Sequence, residues 1–364
     1  MTQVKLCLLA CAAIFVLPTP TYAEEHSEHS HSNARSYNYA PENGYKPTTD
    51  ARYVEASTDR VLLENEKVAD IFDAAVNGKV LVQRLTQHSY WVFTGNYSTT
   101  FYVGKNGVLL LDPLGRDNAP AVLEAIQSVT DKPVMAVVYS HNHSDHIGGI
   151  SVFAEYAKKM GYTLDIIATD KTLQKQKYLK SKLPAITKVI PFKDGHINFE
   201  EQTLRARGFE HAAHTDDSAM WFLEDEGILH IPDHINPDQM PFLGFGGSEN
   251  YVYFRANLQA ISDGNWKILS SGHGNVGGKK DAAFMLKYLD DLETAVEKSS
   301  AMVDWNKLFA LSPNNHEALM HSYTVEQARI ATDLLRPKYG DYYGFEASVP
   351  YQVGMVASAL ASYE

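Results

Sequence analysis

Residues 139–149 read YSHNHSDHIGG and hold three histidines and one aspartate within six positions. In an extended loop, residues i and i+2 point to the same side, so His141 and His143 can grip one metal ion together. Asp145 and His146 lie past the turn and face a neighbouring ion. Histidine with some carboxylate suits Zn²⁺ best, with Fe, Mn or Co as other candidates. The stretch therefore predicts a metal-binding loop.

The flanking sequence predicts a strand before this loop and a helix after it. PVMAVVYS (133–140) reads as a buried strand, and ISVFAEYAKKM (150–160) reads as a helix. Gly148 and Gly149 allow a tight turn between the loop and the helix. Open α/β sheets bind ligands at the carboxyl ends of their strands, which is where this loop would lie.

More residues of ligand type follow later predicted strands. His214 lies in AAHTDDS, Asp233 in LHIPDHI and His273 in SSGHGN. With the first loop, these make five imidazoles and two carboxylates. Two dications a few Å apart need negative charge between them, and Asp233 is suited to bridge them, with a hydroxide as the second bridge.

HNHSDH resembles the HxHxDH signature of the metallo-β-lactamase superfamily, and GVLLLDP, AAHTDDS, ILHIPDHI and SSGHG resemble its other motifs in the family's order. The similarity covers roughly residues 80–290. It implies an α/β fold, an αββα sandwich of two mixed β-sheets flanked by helices, with the site at one sheet edge. It also implies a ligand set: His141, His143 and His214 for a first metal, Asp145, His146 and His273 for a second, Asp233 as the bridge, and Asp112 as a buttress.

The sequence departs from the family pattern at several positions. Pro232 replaces the usual glycine before Asp233, which could shift the bridging carboxylate. Asp216-Asp217 replaces small residues after His214 and adds negative charge near the site. No glutamate follows the final GHG. His211 is either a substitute ligand or a bystander, and His234 either faces the pocket or is a satisfied buried group.

The chain divides into four predicted parts. Residues 1–23 have the layout of a cleavable export signal, with Lys5 ahead of an apolar core too short to span a bilayer. Residues 24–60 read as a flexible leader whose histidines (His26, His29 and His31) either collect metal weakly or form a solvated tail. Residues 61–290 are the predicted catalytic domain, and residues 291–364 a C-terminal helical extension that caps the site, mediates dimerisation or packs on a sheet.

Within the domain, residues 64–78 read as a helix ending at Gly78. Four runs predict an antiparallel meander: VLVQRL (80–85), YWVFTG (90–95), TTFYVG (99–104) and GVLLLD (107–112). LGFGG (243–247) reads as a flexible loop, and not as a phosphate-binding loop, because no helix with a lysine follows at the required spacing.

Charge and cysteine content argue against two kinds of function. The net charge of −12 becomes −13 after removal of residues 1–23, and the absence of a Lys/Arg cluster disfavours nucleic acid as a partner. Cys7 and Cys11 are the only cysteines, and both lie inside the predicted signal. The mature chain would therefore have no cysteine nucleophile and no thiolate ligand.

These observations predict a periplasmic or secreted metal-dependent hydrolase that acts on a small molecule. Two zinc ions would supply a hydroxide that attacks an ester, lactone or related acyl bond, with Asp145 and Asp233 as catalytic carboxylates. The alternatives are a periplasmic β-lactamase and, in another class, a mononuclear iron dioxygenase of the same fold. We expect no stable membrane insertion after signal cleavage, and homodimerisation stays open.

Overall fold

A computed structural model of the chain describes residue 41 and residues 44–363, the side chain of residue 363 excepted. The predicted signal peptide and residues 24–40 of the predicted leader lie outside these residues. Among the residues that are described, every helix is too short or too polar to span a bilayer.

A short parallel pair of strands, β1 (Arg52–Val54) and β2 (Glu66–Val68), precedes the main sheets. The larger main sheet follows the order of the chain: β3 (Leu81–Arg84), β4 (Ser89–Thr94), β5 (Tyr97–Val103), β6 (Val108–Leu111), β7 (Val134–Val138), β8 (Asp165–Thr169) and β9 (Lys188–Ile190). Its strands are antiparallel from β3 to β6 and parallel from β6 to β9. The predicted antiparallel meander is therefore confirmed.

The smaller main sheet also follows chain order: β10 (Gly195–Phe199), β11 (Gln202–Gly208), β12 (Ala219–Leu223), β13 (Ile228–His230) and β14 (Ile268–Ser270). Only its last pair, β13 with β14, is parallel.

The helices are α1 (Ile71–Val76), α2 (Ala119–Val129), α3 (Ser144–Ile147), α4 (Ile150–Met160), α5 (Asp170–Tyr178), α6 (Phe254–Asp263), α7 (Lys279–Met302), α8 (Trp305–Leu311), α9 (His316–Tyr339) and α10 (Phe345–Tyr363). A 3₁₀ turn, Tyr251–Tyr253, leads into α6.

The alternation of side chains along β6 shows how the layers pack. Leu109 and Leu111 point into the core between the two sheets, where they meet residues of the smaller sheet such as Trp221. Val108 and Leu110 point the other way, into a core shared with α2 and α4. A strand covered on both faces reads as a continuous apolar run, as VLLL does.

The outer face of the smaller sheet is covered by α6, α7, α9 and α10, which share one apolar core with it. The order of layers is therefore helices, sheet, sheet, helices, and the predicted αββα sandwich with C-terminal helices is confirmed.

The region before β3 differs from the prediction. Of the helix expected over residues 64–78, only Ile71–Val76 is helical, because Glu66–Val68 pairs with β1 instead. Part of the expected leader also makes specific contacts: the Lys46 amide donates to the Asp341 carbonyl at 2.9 Å, and Tyr53 Oη donates to Asp238 at 2.7 Å. The domain boundary near residue 60 stays a prediction.

Candidate metal centre

The residues of ligand type lie at the ends of strands that meet at one edge of the sandwich. His141 and His143 follow β7, and α3 carries Asp145 and His146. The other three follow the smaller sheet's strands: His214 after β11, Asp233 after β13 and His273 after β14. The two sheets are joined at this edge, since the Ser98 amide of β5 donates to the Gly272 carbonyl at 2.7 Å.

Gly149 is required by close packing and not by its backbone angles. Its φ of −88° is available to any residue, whereas a Cβ there would lie 2.4 Å from Cβ of Ala119 and 2.8 Å from the Leu114 carbonyl oxygen. The α3–α4 corner is thereby held against the loop that follows β6. Glycine is therefore needed here because two loops approach closely, and not for the tight turn that the sequence suggested.

A first group of ligand atoms comprises His141, His143, His214 and Asp233. His214 Nε2 lies 3.2 Å from His141 Nε2 and 3.1 Å from His143 Nδ1. Asp233 Oδ2 lies 3.3 Å from His141 Nε2 and 3.2 Å from His214 Nε2. Four donors therefore converge on one point.

A second group comprises Asp145, His146 and His273. His146 Nε2 lies 3.6 Å from Asp145 Oδ2, and His273 Nε2 lies 3.8 Å from the same oxygen. Asp233 faces this group too, with Oδ2 3.1 Å from His146 Nε2 and Oδ1 3.0 Å from His273 Nε2. Its carboxylate thus lies between the two groups.

Distance and direction both fit a metal site. Ligands about 2.1 Å from a tetrahedral zinc ion lie about 3.4 Å from one another, close to the separations in the first group. Asp233 Oδ2 is buried and makes no hydrogen bond of acceptable direction, although three imidazole nitrogens surround it. Both nitrogens of His146 are buried and likewise make no hydrogen bond of acceptable direction. Polar atoms that converge without pairing are suited to hold a cation.

The protonation of the site favours metal binding at most positions. Burial lowers the pKa of His141 well below its usual range and that of His143 to about 4, with the other histidines adding to both shifts. Burial alone would raise the pKa of Asp233, but His146 and His214 lower it well below its usual range. These groups are therefore in the forms that bind a cation.

His146 is the exception. Burial lowers its pKa, but Asp233 and Asp145 outweigh burial and raise the pKa to about 10. A metal ion bound by this imidazole would displace a proton from it.

A buried polar network lies beneath the site and joins the two sheets. Asp112 accepts hydrogen bonds from the Ser140 amide at 2.8 Å and from His230 Nε2 at 2.9 Å. His230 Nδ1 lies 2.8 Å from Ser270 Oγ, and Ser140 Oγ lies 2.9 Å from His141 Nδ1. Asp112 Oδ2 is 3.7 Å from His146 Nδ1, too far for a hydrogen bond. Asp112 thus supports the loop that carries His141.

Sequence reasoning missed His230. Its position in the buried strand β13, three residues before Asp233, is the signal that could have found it. A fully buried histidine needs a partner for each ring nitrogen, and here one partner comes from each sheet.

Asp217 braces the two loops of the first group. Its carboxylate accepts from the Asn142 amide at 2.8 Å and from Thr215 Oγ1 at 2.5 Å, and it pairs with Lys175 Nζ at 3.2 Å. Asp216 is 66% exposed and pairs with the same lysine at 2.8 Å. Both aspartates were expected to add negative charge near the site. The charge of the buried one, Asp217, is instead engaged by its own hydrogen bonds and by Lys175.

Pro232 leaves Asp233 among the histidines. The Asp233 amide donates to the Ser271 carbonyl at 3.1 Å, and the residue has a φ of +68°. Aspartate tolerates this left-handed conformation better than most side chains. The departure from the family's glycine therefore does not prevent Asp233 from facing both groups.

The two other candidate histidines, His211 and His234, lie outside both groups. His211 is exposed and stacks on Tyr253 with ring centroids 4.5 Å apart. His234 is fully buried, stacks on Phe209 and contacts the Pro232 carbonyl through Nδ1 at 3.0 Å. Burial lowers the pKa of His234 to about 4, so this ring is neutral.

A turn beside Asp233 is held by the C-terminal helices. The Gly246 amide donates to the Phe242 carbonyl at 2.8 Å, and a Cβ on Gly246 would lie 2.9 Å from the Asp233 carbonyl oxygen. Ser348 Oγ of α10 accepts from the Leu243 amide at 3.1 Å. The loop that sequence marked as flexible is therefore anchored, and Phe242 stays 60% exposed at its edge.

Part of the chain matches a known family and two known proteins in sequence. The profile of the metallo-beta-lactamase superfamily matches residues 93–273. The chain is 32% identical over 99 residues to the 2,4-dinitroanisole O-demethylase subunit beta of Nocardioides sp. (strain JS1661), covering 26% of this chain and 31% of that protein. It is 26% identical over 201 residues to a beta-lactamase-like protein 2 homolog of Caenorhabditis elegans, covering 54% and 62% respectively. Each match thus spans less than two thirds of the relative.

Among solved structures, the metallo-beta-lactamase from Pontibacter korlensis is similar to this chain. The TM-score is 0.49 at 19% sequence identity, over 58% of this chain and 99% of that one.

The αββα sandwich and its cluster of histidines and aspartates define a protein built to bind divalent metal at a sheet edge. The profile match over residues 93–273 confirms the resemblance of the chain's motifs to the metallo-β-lactamase superfamily.

Proposed function

We propose that the protein is a two-metal hydrolase of esters, lactones or related acyl bonds, with zinc as the ion that its donor set favours. The observation that carries the proposal is the position of Asp233, whose oxygens face ligand atoms of both groups at 3.0–3.3 Å. When bound, two zinc ions supply a water that is deprotonated near neutral pH and polarise the substrate carbonyl.

Two carboxylates of the protein have separate roles in this reaction. Asp233 holds the two groups of ligands together, and its ionised form offsets the positive charge there. Asp145 is 37% exposed at the mouth of the second group, so its carboxylate can take a proton from the attacking water and give it to the leaving alcohol oxygen as the acyl C–O bond breaks. The chain needs no protein nucleophile, in keeping with a mature sequence that has no cysteine after residue 11.

The exposed ring of Phe242 supports an apolar substrate portion. It lies at the edge of the anchored turn that contacts the backbone of Asp233. We take this ring as a candidate for the apolar part of the substrate surface, which the Phe242→Ala variant tests.

Export belongs to the proposal as well. The charge and apolar pattern of residues 1–23 supports cleavage and a periplasmic or secreted location. Mass spectrometry of the protein expressed with its full sequence would show the loss of these residues, and an intact N-terminus in an exported sample would contradict it.

One purified sample tests the reaction. Metal content should be two ions per chain, and a panel of lactones, aryl esters and β-lactams should show turnover of the first two classes. Turnover of β-lactams alone would favour the β-lactamase alternative, and a single iron with oxygen consumption would favour the dioxygenase. Asp233→Ala should lose activity, and full activity in that variant would sink the two-metal mechanism.

A further inference from the structure

Strand β2 (Glu66–Val68) lies outside residues 93–273, which match the family, yet it contacts both loops that carry the later ligands. One loop runs from Asp233 to Asp238 after β13, and the other runs from His273 to Gly277 after β14. Asp233 Oδ1 lies 3.0 Å from His273 Nε2. The relative position of these two loops therefore sets how Asp233 meets His273 of the second group, whose other members lie on α3.

Lys67 of β2 lies in a buried cluster with two carboxylates. Its Nζ lies 3.0 Å from Asp281 Oδ1 and 3.4 Å from Asp238 Oδ2. All three side chains are buried. Asp238 follows Asp233 by five residues and adopts a φ of +64°, whereas Asp281 caps the start of α7 by accepting from the Gly278 amide. A buried carboxylate is costly without a partner, so the lysine fixes where Asp238 can lie.

The N-terminal segment closes this cluster from the other side. Tyr53 Oη donates to Asp238 Oδ1 at 2.7 Å, and Thr48 Oγ1 donates to the same oxygen at 3.1 Å. The Asp238 amide donates back to Thr48 Oγ1 at 3.1 Å. Backbone and side chain of Asp238 are thus both tied to residues that precede the family's matched region.

The neighbouring residue of β2 holds the second loop. Asn275 accepts from the Val68 amide at 3.1 Å and donates to the Val68 carbonyl at 2.8 Å. Both bonds are buried, and Asn275 follows His273 by two residues. The two loops also touch, since a Cβ on Gly274 would lie 2.4 Å from the Pro237 carbonyl oxygen. Consecutive residues of one strand therefore fix both loops.

We propose that Lys67 is a positioning residue of the metal centre, which holds the Asp233 loop against the His273 loop through Asp238 and so forms the second metal site. This inference rests on the proposed two-metal function. The three histidines of the first group are held otherwise: Ser140 contacts His141, and Asp217 braces the loops of His143 and His214. Loss of the Lys67 cluster should therefore weaken the second ion more than the first.

Three variants of the full chain test the proposal: Lys67→Met, Asp238→Asn and Tyr53→Phe. Lys67→Met removes the charge and leaves two buried carboxylates facing each other, whereas the other two keep the shape of the cluster. The matched control is Gln327→Met, a buried residue whose amide donates to the Val296 carbonyl at 3.3 Å in the C-terminal helices.

The measurements are zinc content after dialysis, stepwise zinc affinity by competition with a chromophoric chelator, and melting temperature. We expect the second ion to bind about tenfold more weakly in Lys67→Met and Asp238→Asn, and somewhat more weakly in Tyr53→Phe. The first ion should keep its wild-type affinity in all three variants, and both ions should keep theirs in the Gln327→Met control. If Lys67→Met fails to fold, the two shape-conserving variants still decide the matter.

Normal affinity for both ions in Asp238→Asn and Tyr53→Phe, with a lowered melting temperature as in the control, would overturn the inference and leave the proposed function standing. Equal weakening of both ions would also overturn it. A wild-type protein that binds one ion would instead remove the proposed function, and the inference with it.

Discussion

Replacing Asp217 with asparagine should loosen the loops that hold the first group of ligands. Asp217 is fully buried and receives hydrogen bonds from Asn142 and Thr215 at 2.8 and 2.5 Å. Both bonds go to a charged acceptor, which adds about 1 kcal/mol to each compared with a neutral one. Lys175 also loses a partner at 3.2 Å, although it keeps Asp216, so that loss adds about 0–1 kcal/mol.

The free energy of unfolding of the metal-depleted Asp217→Asn protein should therefore fall by about 2–3 kcal/mol. That corresponds to a melting temperature about 5 °C lower. Because the Asn142 amide lies between His141 and His143, zinc affinity at the first site should fall about tenfold.

The neighbouring Asp216→Asn is the matched control for this variant. It removes the same charge from the same lysine, but the side chain is 66% exposed, so the cost should be within about 0.5 kcal/mol. Thermal unfolding and chelator competition on both variants give the comparison. If the two variants lose the same stability, the bracing role of Asp217 is refuted.

Three further predictions concern the same centre. The folded pKa of His146, about 10, lies above its unfolded value of about 6.5, so its charged form stabilises the metal-free protein below about pH 6.5, and this contribution is lost as pH rises through about 10. Zinc binding at pH 7.5 should therefore release this proton. Calorimetry in two buffers of different ionisation enthalpy measures the release, and finding none would contradict the prediction. His230→Leu should lower the free energy of unfolding, measured in urea, by about 3–5 kcal/mol because the buried Asp112 carboxylate loses its imidazole partner. Ser270→Ala should lower it by about 1 kcal/mol. Phe242→Ala should leave the melting temperature unchanged and raise KM for apolar acyl substrates about tenfold, and an unchanged KM would remove Phe242 from the substrate surface.

Much of the fold could be read from local sequence. The meander from β3 to β6 followed from apolar runs separated by short turns, and PVMAVVYS predicted the buried strand β7. The stretch from residue 64 to residue 78 was misread because its helix-like pattern is short, and pairing of Glu66–Val68 with β1 decides its conformation. A three-residue strand gains its hydrogen bonds from a distant partner, which no local pattern reveals.

For the site, the sequence determined the kinds of ligand and their order along the chain. Strand ends and the spacing of HNHSDH placed imidazoles and carboxylates where a sheet edge would gather them, because that spacing acts within one loop. Only the tertiary structure decided how the loops are held: His230 joins the sheets, Asp217 braces the first group and Lys67 reaches Asp238. These contacts join residues up to 171 positions apart (67 to 238), and their strength comes from burial, which belongs to the packed molecule and not to the chain.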